Sequence, residues 1–307
     1  MEAMQVQQSK GEPFLRAAQV PKPTPGKGEV LVQVHAAGVT TTELGWDPTT
    51  HTKSGQERLN AIPGHEFSGV IAAKGEGAND FAIGQPVFGL NDWYADGATA
   101  EFCVTVPSSI ATKPAKLSDE EAATVPIAAL TAWQGLFDRA KLQAGERLLV
   151  HGGAGAVGLF AVQLAHLHGA HVIATTSTRT VSFVKELGAN EVIDYKKSRF
   201  EDLVREVDVV FDTVGGDTFD RSWGVLKPQG RIVTIAAGEN STDPRVKKSF
   251  FIVEPNQKQL VEVGKLLDSG SLKTFVKATV PLAEAGAAYA KTIPQTLAYG
   301  KVVIDIA

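Results

Sequence analysis

The stretch RLLVHGGAGAVGLFAVQLAHLHGAHVIATT, residues 147–176, decides the fold of this chain. An apolar run of strand type leads into a turn in which Gly152, Gly155 and Gly158 follow G-x-x-G-x-x-G spacing, and an apolar helix and a second strand-type run come next. Glycines allow a tight turn and a close approach of backbone to a pyrophosphate, and a helix N-terminus adds free N–H donors. Because the glycines lie inside a strand-turn-helix-strand unit, the stretch predicts a dinucleotide-binding turn.

Strand and helix patterns continue to alternate beyond this unit. The strand-type runs are RLLVHGG, HVIATT, EVIDY, DVVFDTVGG, RIVTIAAG and FFIVEP, with helical text between them. Parallel strands need crossover connections, so the alternation predicts an α/β fold with a doubly wound parallel sheet and helices on both faces. Upstream, between about residues 20 and 106, short β-type runs separated by Gly, Pro, Asn and Asp predict a compact β-rich domain.

The sequence pattern changes from strand-like to helical near residue 118. The segment SDEEAATVPIAALTAWQGLFDRA opens with a Ser-x-x-Glu capping box formed by Ser118 and Glu121. A chain of 307 residues is also long for a single core. We therefore predict a β-rich domain over residues 1–118, a dinucleotide-binding domain over residues 119–256, and a C-terminal segment, residues 257–307, that returns to the first domain.

The choice of dinucleotide follows from charge. Sites that prefer NAD carry an acidic residue roughly 20 residues past the glycine turn, where it binds the ribose 2′-hydroxyl. No acidic residue lies between Gly158 and Glu186; the second strand instead runs into Thr176, Ser177, Thr178 and Arg179. Hydroxyls followed by a guanidinium can bind a 2′-phosphate, so we predict NADPH as the cofactor. The alternative is that Arg179 is only a solvated residue at the start of a helix.

Composition excludes several classes of partner. The chain has 30 basic and 34 acidic residues and no Lys/Arg cluster, so we expect no nucleic-acid partner. Neither a signal-peptide layout nor an apolar run of about 18 residues is found, so we expect a soluble, cytoplasmic protein without a membrane partner. The single cysteine, Cys103, rules out an intramolecular disulfide and a multi-cysteine zinc lobe.

Motifs spread over nearly the whole chain resemble one family. They are PKPTPGKGEVLVQVHAAGV (21–39), PGHEFSGVI (63–71), LTAWQGLFDRAKLQAGERLLVHGGAGAVG (130–158), LGANEVIDY (187–195), VVFDTVGG (209–216) and YGKVVI (299–304). With these motifs the chain resembles the medium-chain dehydrogenase/reductase superfamily, in its zinc-independent NADPH:quinone oxidoreductase branch. The resemblance implies a GroES-like catalytic domain made of the N-terminal part and the tail, an inserted Rossmann domain, and catalysis in the cleft between them.

The resemblance also locates the metal position of zinc-dependent relatives. Their Cys, His and Cys ligands correspond here to Thr40, His65 and Ile127. Neither a threonine hydroxyl nor an isoleucine replaces a thiolate, so we predict no metal site. We interpret His65 as a hydrogen-bonded histidine at the cleft floor.

The same resemblance assigns residues to the cofactor. It implies that Thr41, Thr131 and the segment 236–238 lie near the nicotinamide and that Tyr195 lies near the adenosine 2′-phosphate. Thr213 and Gly215 end another strand at the same crevice. The predicted cofactor-binding residues are Thr41, Thr131, Gly152, Gly155, Ala156, Val157, Gly158, Thr176, Ser177, Arg179, Tyr195, Thr213, Gly215, Ala236, Ala237 and Gly238.

Without a metal, the acceptor has to be intrinsically electrophilic. A quinone or an α,β-unsaturated carbonyl compound qualifies, because hydride addition gives a delocalised anion that needs only hydrogen bonds and a proton. The candidate donors are Thr42, Tyr94 and Thr131. Trp46, Trp93 and Tyr94 are candidates for a wall on which a planar acceptor stacks.

Three other functions remain open from the sequence. An alkenal or enoyl double-bond reductase would share the cofactor and the cleft. A non-catalytic NADPH-binding redox sensor would bind the cofactor without turnover. A zinc alcohol dehydrogenase with unusual ligands would contain stoichiometric metal. We also expect a homodimer, because a strand around SFFIVEP (249–255) would present an edge that pairs with its twin.

Overall fold

The computed structural model describes residues 1–9, 12–236 and 242–307. Its strands are β1 (Glu2–Ser9), β2 (Glu12–Gln19), β3 (Val30–Gly38), β4 (Glu66–Lys74), β5 (Pro86–Leu90), β6 (Phe102–Thr105), β7 (Ile110–Thr112), β8 (Arg147–His151), β9 (His171–Thr176), β10 (Glu191–Asp194), β11 (Val207–Asp212), β12 (Leu226–Thr234), β13 (Val276–Pro281) and β14 (Lys301–Asp305). Its α-helices are α1 (Asp47–Thr50), α2 (Asp119–Ala123), α3 (Pro126–Trp133), α4 (Gly158–Leu167), α5 (Val181–Glu186), α6 (Phe200–Leu203), α7 (Asp217–Ser222), α8 (Pro244–Ser249), α9 (Gln257–Ser269) and α10 (Ala285–Tyr289).

A parallel five-stranded sheet in the order β10-β9-β8-β11-β12 forms the second half of the fold. Helices α4, α5 and α7 supply crossovers between its strands. The apolar runs of β8, β9 and β11 are buried, as expected for strands covered on both faces. The sheet confirms the fold class predicted from the alternating pattern. The strand order reverses beside β8, so the ends of β8 and β11 flank a crevice.

The predicted strand FFIVEP is wrong. Residues 251–256 lie in no strand, and Phe250 makes one isolated bridge to Thr234 at the end of β12. The reason lies in where the backbone hydrogen bonds go: the Gln134 side chain binds both N–H and C=O of Glu254, and the Trp93 indole donates to the carbonyl oxygen of Val253. Side chains therefore replace the neighbouring strand as partners. The sheet ends at β12.

A seven-stranded sheet contains strands from both ends of the chain. Its order is β13-β14-β3-β4-β5-β7, and β6 pairs with β3. The terminal strand β14 lies antiparallel to β3, with Ile304 opposite Ala37. The sequence did not indicate the hairpin of β1 and β2 at the start of the chain. The tail thus lies in the N-terminal sheet, while the exact domain boundaries at residues 118 and 256 stay predictions.

The segment between the two sheets begins with the predicted capping box. The Ser118 side chain accepts from the Glu121 N–H, and the Glu121 side chain accepts from the Ser118 N–H. The segment predicted to be helical is not one continuous helix, because Pro126 has no N–H and begins a new helix, α3. A π-helical turn over Gln134–Arg139 follows α3. Among the described residues, no helix is both long enough and apolar enough to cross a membrane.

Candidate active site

The glycine turn lies at the carboxyl edge of the parallel sheet, between β8 and α4. Gly152 has a φ of 77°, in the left-handed region that favours glycine. A Cβ on Gly158 would overlap the carbonyl oxygen of Gly152, so no larger residue fits there. Gly155 is exposed, and its N–H donates to the Gly152 carbonyl at 2.9 Å. The turn is therefore compact beneath and open above, next to the N-terminus of α4, which suits a pyrophosphate.

The neighbouring strand ends close around this turn. The Thr213 hydroxyl donates to the carbonyl oxygen of His151 at 2.7 Å, one residue before Gly152. Gly215, with a φ of 75°, packs so close to Ala236 that a Cβ would lie 2.8 Å from its carbonyl oxygen. The structure thus brings Gly152, Thr213, Gly215 and Ala236 together at one crevice. Ala237 and Gly238 lie outside the described residues.

A buried histidine that sequence reasoning missed supports the turn. Ser222 donates its proton to the carbonyl oxygen of Thr218 and therefore accepts one from His151 Nε2, at 2.9 Å. His151 Nδ1 then accepts from the Thr175 hydroxyl at 3.2 Å, and that same hydroxyl oxygen accepts the Gly152 N–H at 3.3 Å. Burial lowers the pKa of His151 to about 4, so the ring is neutral at pH 7.

The end of β9 carries the hydroxyl cluster expected beside the adenosine ribose. The Thr176 and Thr180 hydroxyls lie 2.6 Å apart, and the Ser177 hydroxyl lies 3.3 Å from that of Thr180. Arg179 is exposed. Tyr195 is 54% exposed, and its N–H donates to the carbonyl oxygen of Thr176, which places its backbone beside this cluster.

An acidic residue lies at the same edge. Asp194 ends β10 opposite Thr176, and its carboxylate accepts from the Thr178 hydroxyl at 2.7 Å. The Thr178 hydrogen bond and the nearby Lys197 ammonium lower the pKa of Asp194. Asp194 lies beyond the segment between Gly158 and Glu186 that favoured NADPH. The ends of adjacent parallel strands meet at one edge, and that rule was the signal that could have found Asp194.

A cleft of about 200 Å³ joins the glycine turn to the other sheet. Ala156 of the turn lines it together with Thr41, which precedes a short 3₁₀ helix over Glu43–Gly45. Three lysines, all from the C-terminal tail, line the same cleft: Lys277, Lys291 and Lys301. The sequence pointed to Thr41 and Ala156 but not to these cations.

Glu43 is the centre of a buried polar cluster in the N-terminal sheet. Its carboxylate is fully buried and accepts from the Gly64 N–H at 2.8 Å and from Nδ1 of His65. The Tyr289 hydroxyl donates to the other carboxylate oxygen at 3.4 Å, and burial raises the Tyr289 pKa well above its usual value. Nε2 of His65 faces the carbonyl oxygen of Ala95 at 3.3 Å. Both ring nitrogens of His65 therefore face oxygen acceptors.

A buried ion pair joins Lys301 to Glu66. Lys301 is 7% exposed and Glu66 is fully buried. The ammonium also donates to the Thr40 hydroxyl at 3.4 Å, while the second oxygen of Glu66 accepts the Ile127 N–H at 3.0 Å. Burial lowers the Lys301 pKa to about 7, against the opposing effect of Glu43. Lys301 belongs to the YGKVVI motif, but sequence reasoning gave it no role.

The structure does not gather the three predicted proton donors at the cleft. Of these described residues, Thr42, Tyr94 and Thr131, none lines the space that Thr41 and Ala156 share. Thr42 is exposed. Thr131 is buried, and its hydroxyl donates to the carbonyl oxygen of Ile127, 2.5 Å away. Tyr94 lies in a loop where the Lys53 ammonium approaches its ring at 5.3 Å.

The predicted aromatic wall is a packed pair. Trp46 and Trp93 meet edge to face with ring centroids 5.3 Å apart, and Trp93 lies 5.2 Å from the His65 ring. Both indoles are partly buried. The pair lies beside the buried polar cluster around Glu43. The Trp93 indole N–H donates to the carbonyl oxygen of Val253, near the end of the predicted dinucleotide-binding region.

Comparison with known proteins agrees with this architecture. Residues 26–115 match the family described as alcohol dehydrogenase GroES-like domain, and residues 187–304 match zinc-binding dehydrogenase. The chain is 30% identical to a probable zinc-binding oxidoreductase, mitochondrial, of Arthroderma benhamiae, over 95% of this chain and 92% of that protein. It is 33% identical to the NADPH-dependent alkenal/one oxidoreductase, chloroplastic, of Arabidopsis thaliana, over 82% of this chain and 66% of that protein. The solved quinone oxidoreductase of Coxiella burnetii superposes with a TM-score of 0.88 at 30% identity, over 100% of this chain and 99% of that one.

The chain belongs to the medium-chain dehydrogenase/reductase superfamily, in its quinone oxidoreductase-like branch. It is an oxidoreductase. The resemblance read from the motifs is confirmed, and so is the combination of a GroES-like part with a parallel α/β sheet.

The zinc-binding description of this superfamily can be tested on the donor atoms of the chain. At the three positions that the resemblance assigns to the metal of zinc-dependent members, Thr40 and Ile127 offer no thiolate, and both nitrogens of His65 face protein oxygens. The Lys301 ammonium lies against Thr40, and like charge disfavours a divalent cation there. Among the described residues, no group of three or more His, Cys, Asp or Glu side chains is arranged to hold a metal. The residues present do not fit a catalytic zinc.

Proposed function

We propose that this oxidoreductase uses NADPH, without zinc, to reduce a quinone or another electron-poor conjugated carbonyl compound. The observation that carries the proposal is the cleft shared by Thr41 and Ala156, because it joins the glycine turn to the GroES-like part. The names of the relatives support both acceptor classes: one is a quinone oxidoreductase and another an alkenal/one oxidoreductase. The described residues that line the cleft offer no donor set for a Lewis-acid metal, so the acceptor itself has to be electrophilic.

The cofactor would lie along the crevice at the carboxyl edge of the parallel sheet. The backbone from Gly152 to Gly158, including Ala156 and Val157, would hold the pyrophosphate. Thr41 and Ala236 would lie at the nicotinamide. When bound, the reduced nicotinamide supplies the hydride, and the protein orients it and keeps water out.

The preference for NADPH rests on the end of β9. Thr176, Ser177 and Tyr195 lie together at the end of β9, and the exposed Arg179 follows two residues after Ser177. A guanidinium at this edge would pair with a 2′-phosphate. The Asp194 carboxylate would oppose the phosphate, but the Thr178 hydroxyl and the Lys197 ammonium at 3.5 Å offset its charge. We therefore expect NADPH to be preferred, with measurable activity on NADH.

The test is cofactor oxidation with a quinone and with an enal, using NADPH and NADH in parallel and a chelator throughout. We expect turnover that prefers NADPH and survives the chelator. Arg179→Ala should raise KM for NADPH about 10-fold and leave KM for NADH unchanged, since it removes a charge-assisted pair. Arg16→Ala, an exposed arginine on β2, is the matched control.

Two outcomes would overturn the proposal. Loss of activity in the chelator, restored by zinc, would show a metal enzyme. Tight NADPH binding without turnover of either acceptor would indicate the non-catalytic redox sensor.

A further inference from the structure

A positive charge lies at the floor of the cleft. Lys301 starts β14 and lines the cleft with Thr41 and Ala156, yet it is only 7% exposed. Burying an ammonium is costly unless it is paired, and a buried ion pair is weak evidence of a gain in stability. The chain thus maintains a desolvated cation within the space that the acceptor and the nicotinamide would share.

The position of this cation is informative. Lys301 contacts Thr40 and Glu66, and Glu66 in turn accepts the Ile127 N–H. Lys301 therefore lies next to Thr40 and Ile127, two of the positions that the resemblance assigns to the metal of zinc-dependent relatives. The three donors predicted from the sequence do not line the cleft. Of the three lysines that line the cleft, Lys301 is the buried one, and its ammonium combines a positive charge with transferable protons.

We propose that the Lys301 ammonium is the electrophile and proton donor for the acceptor. The proposal rests on the proposed function. When bound, the reduced nicotinamide would supply a hydride: its own C–H bond would break as a new bond to the acceptor forms, and the nicotinamide would be left oxidised. The electron pair of the conjugated system shifts to the carbonyl oxygen, and that oxygen takes a proton from Lys301 Nζ. The resulting neutral amine regains a proton from solvent through the cleft.

The surroundings of Lys301 fit a group that exchanges a proton near neutral pH. Glu66 of β4 pairs with it, Glu43 lies within electrostatic range, and His65 and Tyr289 bind Glu43 in turn. Lys277 and Lys291 line the same cleft and carry charge of the same sign. A general acid works best when its pKa lies near the working pH, and that of Lys301 is lowered to about 7. Because the protonated form is required, kcat should fall as pH rises through about 7.

Three variants separate catalysis from structure. Lys301→Met with Glu66→Gln removes both charges, so no unpaired buried charge is left to unfold the protein. Lys301→Arg keeps the positive charge but cannot release a proton at neutral pH. Lys113→Met removes a lysine that pairs with Asp119 and does not line the cleft, and it is the matched control.

The expected result is a loss of kcat of about 100-fold in the double variant, with the affinity for NADPH unchanged. Lys301→Arg should retain part of the rate and lose the fall in kcat near pH 7. A second readout does not depend on turnover: 4-nitrophenol, bound together with NADP⁺, should ionise at lower pH in the wild type than in the double variant, as seen from phenolate absorbance.

The opposite results would overturn the inference. If the folded double variant keeps the kcat and pH profile of the wild type, and nitrophenol ionises equally in both, Lys301 only neutralises Glu66. Failure of the proposed function would look different, because the wild-type protein itself would then turn over neither acceptor. Lys113→Met should match the wild type in every readout.

Discussion

His151 shows how much one buried residue contributes beneath the glycine turn. Its two ring nitrogens connect Thr175, and through it the Gly152 N–H, to Ser222 at the end of α7. Because Ser222 gives its proton to Thr218, the ring has to be the neutral form with hydrogen on Nε2. A neutral buried histidine is a stability element that depends on pH.

We expect acid to weaken the protein through His151. Its pKa is lowered from 6.5 in the unfolded chain to about 4 in the fold, so the unfolded state binds the proton more readily. Its contribution is fully present above pH 6.5 and is lost as pH falls toward about 4, by on the order of 3 kcal/mol. Denaturant unfolding from pH 7.5 to 4 checks this.

The variant His151→Gln isolates this effect from the titration of carboxyl groups. The free energy of unfolding of the variant should approach that of the wild type as pH falls from 6.5 to 4. A constant difference between the two proteins across this range would contradict the prediction.

At the scale of elements, α2 shows a local signal that determines where a helix starts. The capping box predicted from Ser118 and Glu121 is present, with both side chains bonded to backbone N–H groups. By contrast, the strand predicted at residues 250–255 does not form, although its apolar residues Phe251 and Val253 are buried. Apolar patterning predicted burial correctly there, but the hydrogen-bonding partners came from distant side chains.

Ser118→Ala should lower the free energy of unfolding by about 1 kcal/mol, because it removes the acceptor for a helix N-terminal N–H. Chemical denaturation measures the change. Ser182→Ala, at an exposed position within α5, is the control and should change stability by less than about 0.5 kcal/mol. Equal effects of the two substitutions would show that the capping box contributes nothing.

At the scale of the whole molecule, the C-terminal strands β13 and β14 belong to the same sheet as β3 to β7 of the N-terminal part. The β14 residue Ile304 is fully buried in a cluster with Met4 and Val39, and its backbone lies opposite Ala37. The N-terminal sheet is therefore incomplete until the last residues are in place. The homodimer stays a prediction, and its edge would now be β12 rather than residues 249–255.

Ile304→Ala should destabilise the protein by about 3 kcal/mol, because it leaves a cavity between the chain ends. The loss should appear in amide hydrogen exchange as reduced protection of β3, far away in sequence. Ile252→Ala, whose side chain is 42% exposed, should leave that protection unchanged. Protection lost only in β14 would show that the tail is not coupled to β3.

The sequence by itself determined the parallel sheet, the glycine turn, the capping box and the superfamily, because each depends on a short stretch with its own period or spacing. It also pointed to Thr41, Ala156, Thr213 and Gly215. Only the tertiary structure decided that Asp194 lies beside Thr178, that His151 holds the turn, and that Lys301 lies against Thr40. Those contacts join residues 16 to 261 positions apart, and their partners follow from how the strands align rather than from any local pattern.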